Sequence, residues 1–231
     1  MIRQTDRATH YVYDEENRLA CVHKGTQVPP NPSCNEQGVA PLEIVYDHAG
    51  VRKRKDSSQP HLLPQPVPHD IGGGTGGQFK HIFLGAVRIL TMKVIPPPDK
   101  QQWYYHPDHL GSTSMVNSEN GQLAEHAHYF PYGEVWLQER PSTPVPYLFT
   151  SKEFDPETGL YDFGARYLNP RFAQWMTTDP ALVEYLGGSP NGGVHTPPNI
   201  ALYGYSFNNP VTLRDPDGRY VEPCLPTNEY R

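Results

Sequence analysis

The sequence predicts a mainly β protein built from short hairpins, with a few short helices toward its C-terminal end. Three observations carry this expectation. The 26 prolines are scattered from Pro29 to Pro226 of the 231 residues, and a proline inside a helix costs roughly 3 kcal/mol. Long helices, helical bundles and coiled coils are therefore excluded. The chain holds 15 Tyr, 8 Phe and 3 Trp, residue types that suit a pleated, half-buried surface. Turn-forming residues recur between short apolar runs, the pattern of strand, turn and strand. Proline and glycine together are about a fifth of the chain, below the roughly 25–30% of a low-complexity sequence. With a hydrophobic fraction of only 36%, core material is thin.

Each element follows in order. Tyr11-Val12-Tyr13-Asp14-Glu15-Glu16-Asn17-Arg18-Leu19 and Val45-Tyr46-Asp47-His48-Ala49-Gly50-Val51-Arg52-Lys53 are two similar phrases. Each places an aromatic and an Asp before a turn residue and an Arg after it, and reads as a hairpin. Gln27–Gly38 is a Pro/Asn loop between them. Residues 56–78 are a Pro/Gly-rich connector. Its Gly72–Gly77 run lacks the Gly-Lys-Ser/Thr of a phosphate loop. Phe79–Val94 has strand chemistry with a turn or bulge at Gly85. Asn120-Gly121 signals a hairpin between Ser114–Asn117 and Leu123–His128. Pro141–Pro146 is a polar loop, and Tyr161–Leu168 a strand. Pro170–Thr177 and Asp179–Leu186 are each read as a short helix, the second capped by Asp179 with Pro180 in its first turn. Gly187–Pro198 reads as a flexible insertion, Asn199–Asn208 as one or two helical turns, and the tail after Gly218 as polar and mobile. The organisation expected is hairpins over 1–55, a linker over 56–78, a core region over 79–219 and a short tail over 220–231.

The net charge is −6, and the sequence pI is near 6.0. That gives no basic footprint for nucleic acid. The local run Arg52-Lys53-Arg54-Lys55 reads as a solvated strand end. Met1–Tyr11 has no apolar stretch of the Sec signal-peptide kind. The longest apolar run, Ile82–Val87, ends at Arg88, far short of the roughly 20 residues that span a bilayer. Cys21, Cys34 and Cys224 are an odd, sparse set. They read as free thiols, with a Cys21–Cys34 bridge as the alternative, and no Cys-x-x-Cys pair suggests zinc. No cofactor is expected.

Several phrases resemble a known family. Tyr13-Asp14-x-x-Asn17-Arg18-Leu19 and Tyr46-Asp47-x-x-Gly50-x-Arg52 resemble YD repeats. Tyr105-His106-Pro107-Asp108-His109-Leu110-Gly111-Ser112 is similar to a signature of Rhs proteins. The text from Gly159 to Pro180 resembles the Rhs repeat-associated core, and Tyr129–Glu134 and Asn208-Asn209-Pro210 fit the same family. The resemblance covers about residues 10–55 and 80–219. It implies a YD-repeat β-hairpin array forming part of a curled shell, a cocoon, with a few short helices near the C-terminal core motif. In Rhs and toxin-complex C proteins such a shell holds a C-terminal toxin away from the producing cell. The partners implied are the rest of the shell and a C-terminal effector. The location implied is the cell exterior, reached through a specialised bacterial system. The chain itself reads as the C-terminal part of such a shell or a truncated relative.

The same resemblance assigns a site. Pro210, four residues, and Asp215-Pro216-Asp217-Gly218 match the motif at the end of Rhs cores, where autoproteolysis releases the C-terminal segment. The match gives Asp179 and Asp215 the role of paired carboxylates and Arg166 that of their cationic neighbour. The cut is implied after position 219, in the region Gly218, Arg219 and Tyr220. The family leucine is Arg219 here, and only 12 residues follow it, fewer than a folded toxin needs. The chemistry suits an aspartic-protease mechanism. Two close carboxylates share a proton, one activating water and the other polarising the carbonyl. A nearby Arg holds charge, and the tethered substrate gains from proximity. The alternative for Asp179-Pro180 and Asp215-Pro216 is a pair of helix caps or turn starts.

His106, His109, His126 and His128 cluster in sequence. They read as hairpin packing and hydrogen-bonding groups, with a metal site as the alternative. Trp103, Tyr104, Tyr105, Tyr129, Tyr132 and Trp136 read as core and cross-strand pairs, with a glycan platform as the alternative. The chain is thus read as a shell that encapsulates and presents an effector, its enzyme activity at most one self-cleavage. The other readings are a non-catalytic binding module for a partner or surface glycan, and a truncated gene remnant.

Overall fold

The structure is a computed structural model that describes residues 9–24, 42–46, 52–57, 78–85, 87–94, 101–139, 147–189 and 192–224. The chain divides into two compact units, residues 1–62 and 63–231. The first holds an antiparallel sheet of β1 (Thr9–Tyr13), β2 (Leu19–Lys24), β3 (Leu42–Tyr46) and β4 (Arg52–Ser57), in that order. Leu19, Val22 and Ile44 are buried in it.

The repeat phrases explain its hairpins. Asp14 Oδ1 accepts the N–H groups of Glu16 and Arg18 (3.0 and 2.8 Å), which closes the turn. Arg18 Nε returns to Asp14 Oδ2 at 2.7 Å. The Arg18 guanidinium lies 4.8 Å from the ring centroid of Tyr46, and the Tyr46 hydroxyl donates to the Leu19 carbonyl at 2.9 Å. The aromatic of the second phrase thus packs on the arginine of the first, so one repeat completes the next.

The second unit opens with a six-stranded antiparallel sheet. Its strands are β5 (Gln78–Leu84), β6 (Val87–Val94), β7 (Gln101–Pro107), β8 (Thr113–Ser118), β9 (Leu123–Tyr129) and β10 (Val135–Glu139). Asn120-Gly121 forms the predicted turn, and Gly85 the turn between β5 and β6. A smaller sheet of β11 (Glu153–Asp155), β12 (Leu160–Asp162), β13 (Tyr167–Asn169) and β14 (Gln174–Trp175) follows. Then come helix α1 (Leu182–Leu186), three 3₁₀ segments, and the pair β15 (Leu213–Arg214) and β16 (Glu222–Pro223). An aromatic core forms around Phe149, Tyr161, Phe163, Trp175 and Tyr205.

Among the described residues, five tight turns share one backbone pattern. In residues 14–18, 108–112, 118–122, 130–134 and 148–152, the first N–H bonds the fifth carbonyl and the fourth N–H bonds the first carbonyl. The fourth residue has positive φ in each: Asn17, Gly111, Gly121, Gly133 and Ser151. Asp108 repeats the role of Asp14, its Oδ1 accepting from Leu110 and Ser112 (2.9 and 2.7 Å). In six of the eight pairs of consecutive strands within these two sheets the pairing slips by one residue at the turn end, the pairs β2–β3 and β6–β7 being the exceptions.

Several expectations are corrected. Tyr161–Leu168 is two strands, because Gly164 takes φ +96° and its N–H is bonded by Asp162 Oδ1, turning the chain between them. Pro170–Thr177 is a turn leading into β14 rather than a helix. The Asn169 side chain bonds the N–H groups of Arg171 and Phe172, and Ala173 takes positive φ. Helix α1 starts two residues later than expected, with Ala181 at its cap position. Residues 219–224 do not trail off, since β16 pairs back on β15. Within Gly187–Pro198, residues Gly193–His195 form a 3₁₀ turn. Cys21 is disulfide-bonded, which corrects its reading as a free thiol, while Cys224 is free; Cys34 lies outside the described residues. The Gln27–Gly38 loop, the Gly72–Gly77 run and Pro141–Pro146 lie outside the described residues, as do the side chains of Lys53–Lys55.

Candidate functional site

Arg166 sits in the turn between β12 and β13 and is only 3% exposed. The turn is held by Phe163 N–H on the Arg166 carbonyl. The guanidinium stacks on Trp175, 4.3 Å from its ring centroid, and makes three polar approaches. Nη1 lies 3.0 Å from Asp179 Oδ2, an ion pair without an aligned hydrogen bond. Nη2 donates to Asp215 Oδ2 at 3.1 Å, and Nε donates to the Gly218 carbonyl at 2.6 Å. The structure therefore brings Arg166, Asp179 and the loop of Asp215 and Gly218 together, from three separate stretches of chain.

The Asp215–Gly218 loop is held from outside and from within. Three successive carbonyls each accept a donor from another segment. Pro216 O accepts Lys152 Nζ at 2.5 Å, Asp217 O accepts Ala165 N–H at 3.0 Å, and Gly218 O accepts Arg166 Nε. Inside the loop, Asp215 Oδ1 accepts the N–H groups of Asp217, Gly218 and Arg219 (3.3, 2.7 and 3.1 Å). Gly218 has φ +78°, and a Cβ there would lie 2.9 Å from Arg166 N. Only glycine lets the loop approach this closely.

Electrostatics divides the two carboxylates. Asp215 is 1% exposed. Burial pushes it up to about 6, against the pull of Arg166 and of the Gly218 and Asp217 N–H groups. Asp179 is the more open. Its Oδ1 accepts Ala181 N–H at 2.9 Å, and its Oδ2 accepts the Tyr185 hydroxyl at 3.5 Å. Burial raises the Tyr185 phenol to about 12, with Asp179 adding to the rise. Arg219 and Tyr220 are exposed, and the Tyr220 hydroxyl donates to Glu184 at 2.8 Å. Lys152 and Trp175 went unassigned in the sequence. Neither carries a local pattern, and both reach the site only through tertiary packing.

The histidines and aromatics disperse. His126 and His128 stack edge to face, 4.5 Å apart, and His128 meets Trp136. His109 bonds the Val211 carbonyl. Among the described residues no three His, Cys, Asp or Glu side chains gather as for a metal. Trp103 and Tyr105 are buried while Tyr104 and Trp136 are exposed, so the six aromatics do not share one platform. Among the described residues no helix is long and apolar enough to cross a membrane.

The Teneurin YD-shell family model matches residues 93–211. The chain is 34% identical over 119 residues to toxin subunit YenC1 of Yersinia entomophaga, covering 50% of this chain and 11% of that protein. It is 30% identical over 145 residues to toxin protein Tse5 of Pseudomonas aeruginosa, covering 62% of this chain and 10% of that one. The chain thus spans about a tenth of the length of these relatives. Among solved structures, the crystal structure of TcdB2-TccC3-Cdc42 shares its fold, with a TM-score of 0.67 at 21% identity over 91% of this chain and 10% of that one. Repeat phrases, hairpin geometry and the family match agree, and the chain belongs to the YD-shell family of Rhs/YD-repeat proteins.

Proposed function

We propose that this chain is the C-terminal part of an Rhs-type shell that encapsulates and presents a toxic effector outside the producing cell. We further propose that Arg166, Asp179 and Asp215 cut the chain once, in the region Gly218, Arg219 and Tyr220. One observation carries the cleavage reading: a single buried guanidinium pairs with both carboxylates and donates to the Gly218 carbonyl. Kinship with toxin subunits supports the shell reading.

In this mechanism Asp179, the more open carboxylate, takes a proton from water. The water oxygen adds to the carbonyl carbon of the scissile bond. Arg166 stabilises the negative charge that develops on the carbonyl oxygen, as preorganised donors do. Asp215, raised by burial to about 6, is protonated often enough to give its proton to the leaving amine. The C–N bond breaks and leaves one new carboxyl and one new amine. The grip on the Gly218 carbonyl favours the Gly218–Arg219 bond, whereas the motif resemblance favours Arg219–Tyr220.

The test is the intact mass of the freshly purified chain beside an Asp179→Ala variant. Loss of the residues after 218 or 219 in the parent alone supports the reading, and Arg219 at the new end tells the two bonds apart. Full-length mass in both folded proteins would remove cleavage and leave a shell segment.

A further inference from the structure

We propose that Asp217 is a third carboxylate of the self-cleavage, the counter-ion of the leaving nitrogen at the Gly218–Arg219 bond. The proposal rests on the cleavage reading above. Two atoms of that peptide group change charge when the bond breaks, the carbonyl oxygen and the nitrogen, and each has a partner of opposite sign.

The oxygen is gripped by Arg166, whose Nε donates to it across 2.6 Å, a cation placed where negative charge develops. The nitrogen is gripped by carboxyl groups. Arg219 N lies 3.0 Å from Asp217 Oδ1 and 3.1 Å from Asp215 Oδ1. A peptide nitrogen carries a single hydrogen, so two carboxyl groups share one donor. The turns at Asp14 and Asp108 are built otherwise, where the N–H groups of Glu16, Arg18, Leu110 and Ser112 each meet one carboxylate oxygen. Closing a turn takes one acceptor, and Asp215 already supplies it at Arg219. The second acceptor suits a nitrogen with more hydrogens and a positive charge.

Hydrolysis makes such a nitrogen. The water oxygen bonds the Gly218 carbonyl carbon and loses a proton to Asp179. The nitrogen takes the proton of Asp215 while still bonded to that carbon, and is then a cation. The C–N electron pair passes to the nitrogen, and the freed amine of Arg219 takes one more proton from solvent to become an ammonium with three hydrogens. Once Asp215 has given its proton, two carboxylates flank one positive nitrogen. The contact is thus stronger as the bond breaks than before, which is what lowers a barrier. Asp217 is exposed while Asp215 is buried, so the two carboxyl groups stand on the open and the closed side of the bond. The like charge of Asp217 also favours the protonated form of Asp215, keeping the proton in place until the nitrogen takes it.

The test is Asp217→Asn in the full chain. The Asn side-chain oxygen closes the same kind of turn, so the variant loses the charge and keeps the loop. Cleavage is followed by intact mass over time, with near-UV circular dichroism reporting the fold. At low salt the variant is expected to cut about five-fold more slowly than the parent, the scale of one solvent-exposed charge contact. The gap is expected to close in about 1 M salt, where charges are screened within about 3 Å. Equal rates at low salt, or a gap that salt leaves unchanged, would overturn the role of Asp217 and leave cleavage by Arg166, Asp179 and Asp215 standing. A parent cut between Arg219 and Tyr220 would do the same, because the gripped nitrogen is then not the one that leaves. A folded parent that stays whole would remove the cleavage reading and this role with it. Asp217→Ser, whose hydroxyl also closes turns, carries the same comparison if the Asn variant misfolds.

Discussion

Lys152 Nζ donates to the Pro216 carbonyl across 2.5 Å, joining the turn before β11 to the loop after β15. The ammonium is largely buried. That burial lowers its pKa, against the carboxylates of Asp162, Asp215 and Asp217. Lys152→Met is expected to destabilise the chain by about 1–2 kcal/mol, because the part-buried Pro216 carbonyl loses its donor. The urea midpoint should fall with an unchanged slope. An unmoved midpoint would show that the loop is held without this bond.

The protonation of Asp215 gives a pH signature. Its ordinary value is 3.8, and in the folded chain burial raises it to about 6. The folded state therefore binds this proton more tightly than the unfolded state does. The stabilisation is fully present below about 3.8, is lost as pH rises toward 6, and is level above that. Asp215→Asn mimics the neutral acid. The stability of the parent minus that of the variant, measured by denaturation at several pH values, is expected to fall between pH 4 and 6. A difference that rose with pH only below about 4 and stayed level across that window would mean that Arg166, not burial, governs the carboxyl.

Two glycines in equivalent turns should respond differently to alanine. Gly121 has φ +73° with open space where a Cβ would stand, so Gly121→Ala costs about 1 kcal/mol from the left-handed backbone. Gly133 has φ +89°, and its Cβ would lie 2.6 Å from the Phe149 ring. Gly133→Ala adds an overpacking cost of about 1–3 kcal/mol. Thermal unfolding of the two variants checks the order, and equal losses would show that the Phe149 ring moves aside freely.

The hairpins were legible because their signals are local. Asp14, Asp108 and Asn120-Gly121 each close a turn with groups from within five residues, so residue order alone announces them. The site was legible only through family resemblance. Arg166, Asp179 and Asp215 meet across 49 residues of chain, and nothing in their immediate neighbours encodes the meeting. Where reading failed, a side chain overrode the pattern. Asn169 bonds two N–H groups ahead of it and turns Pro170–Thr177 away from a helix. Lys152 was illegible for a related reason. Its partner is the Pro216 carbonyl, and a backbone carbonyl has no letter in the sequence.

The one-residue slip at every tight hairpin has a consequence for how such a chain can change over time. A slip swaps the two faces of the strand beyond it, so the inside–outside parity is reset within these hairpins and carried over unslipped between β2 and β3 and between β6 and β7. Each hairpin is therefore punctuated on its own terms. An array written this way can gain or lose a whole hairpin without rewriting its neighbours, whereas a change of one strand leaves the next facing the wrong way. Natural length variation in this protein's lineage is thus expected to come in pairs of strands.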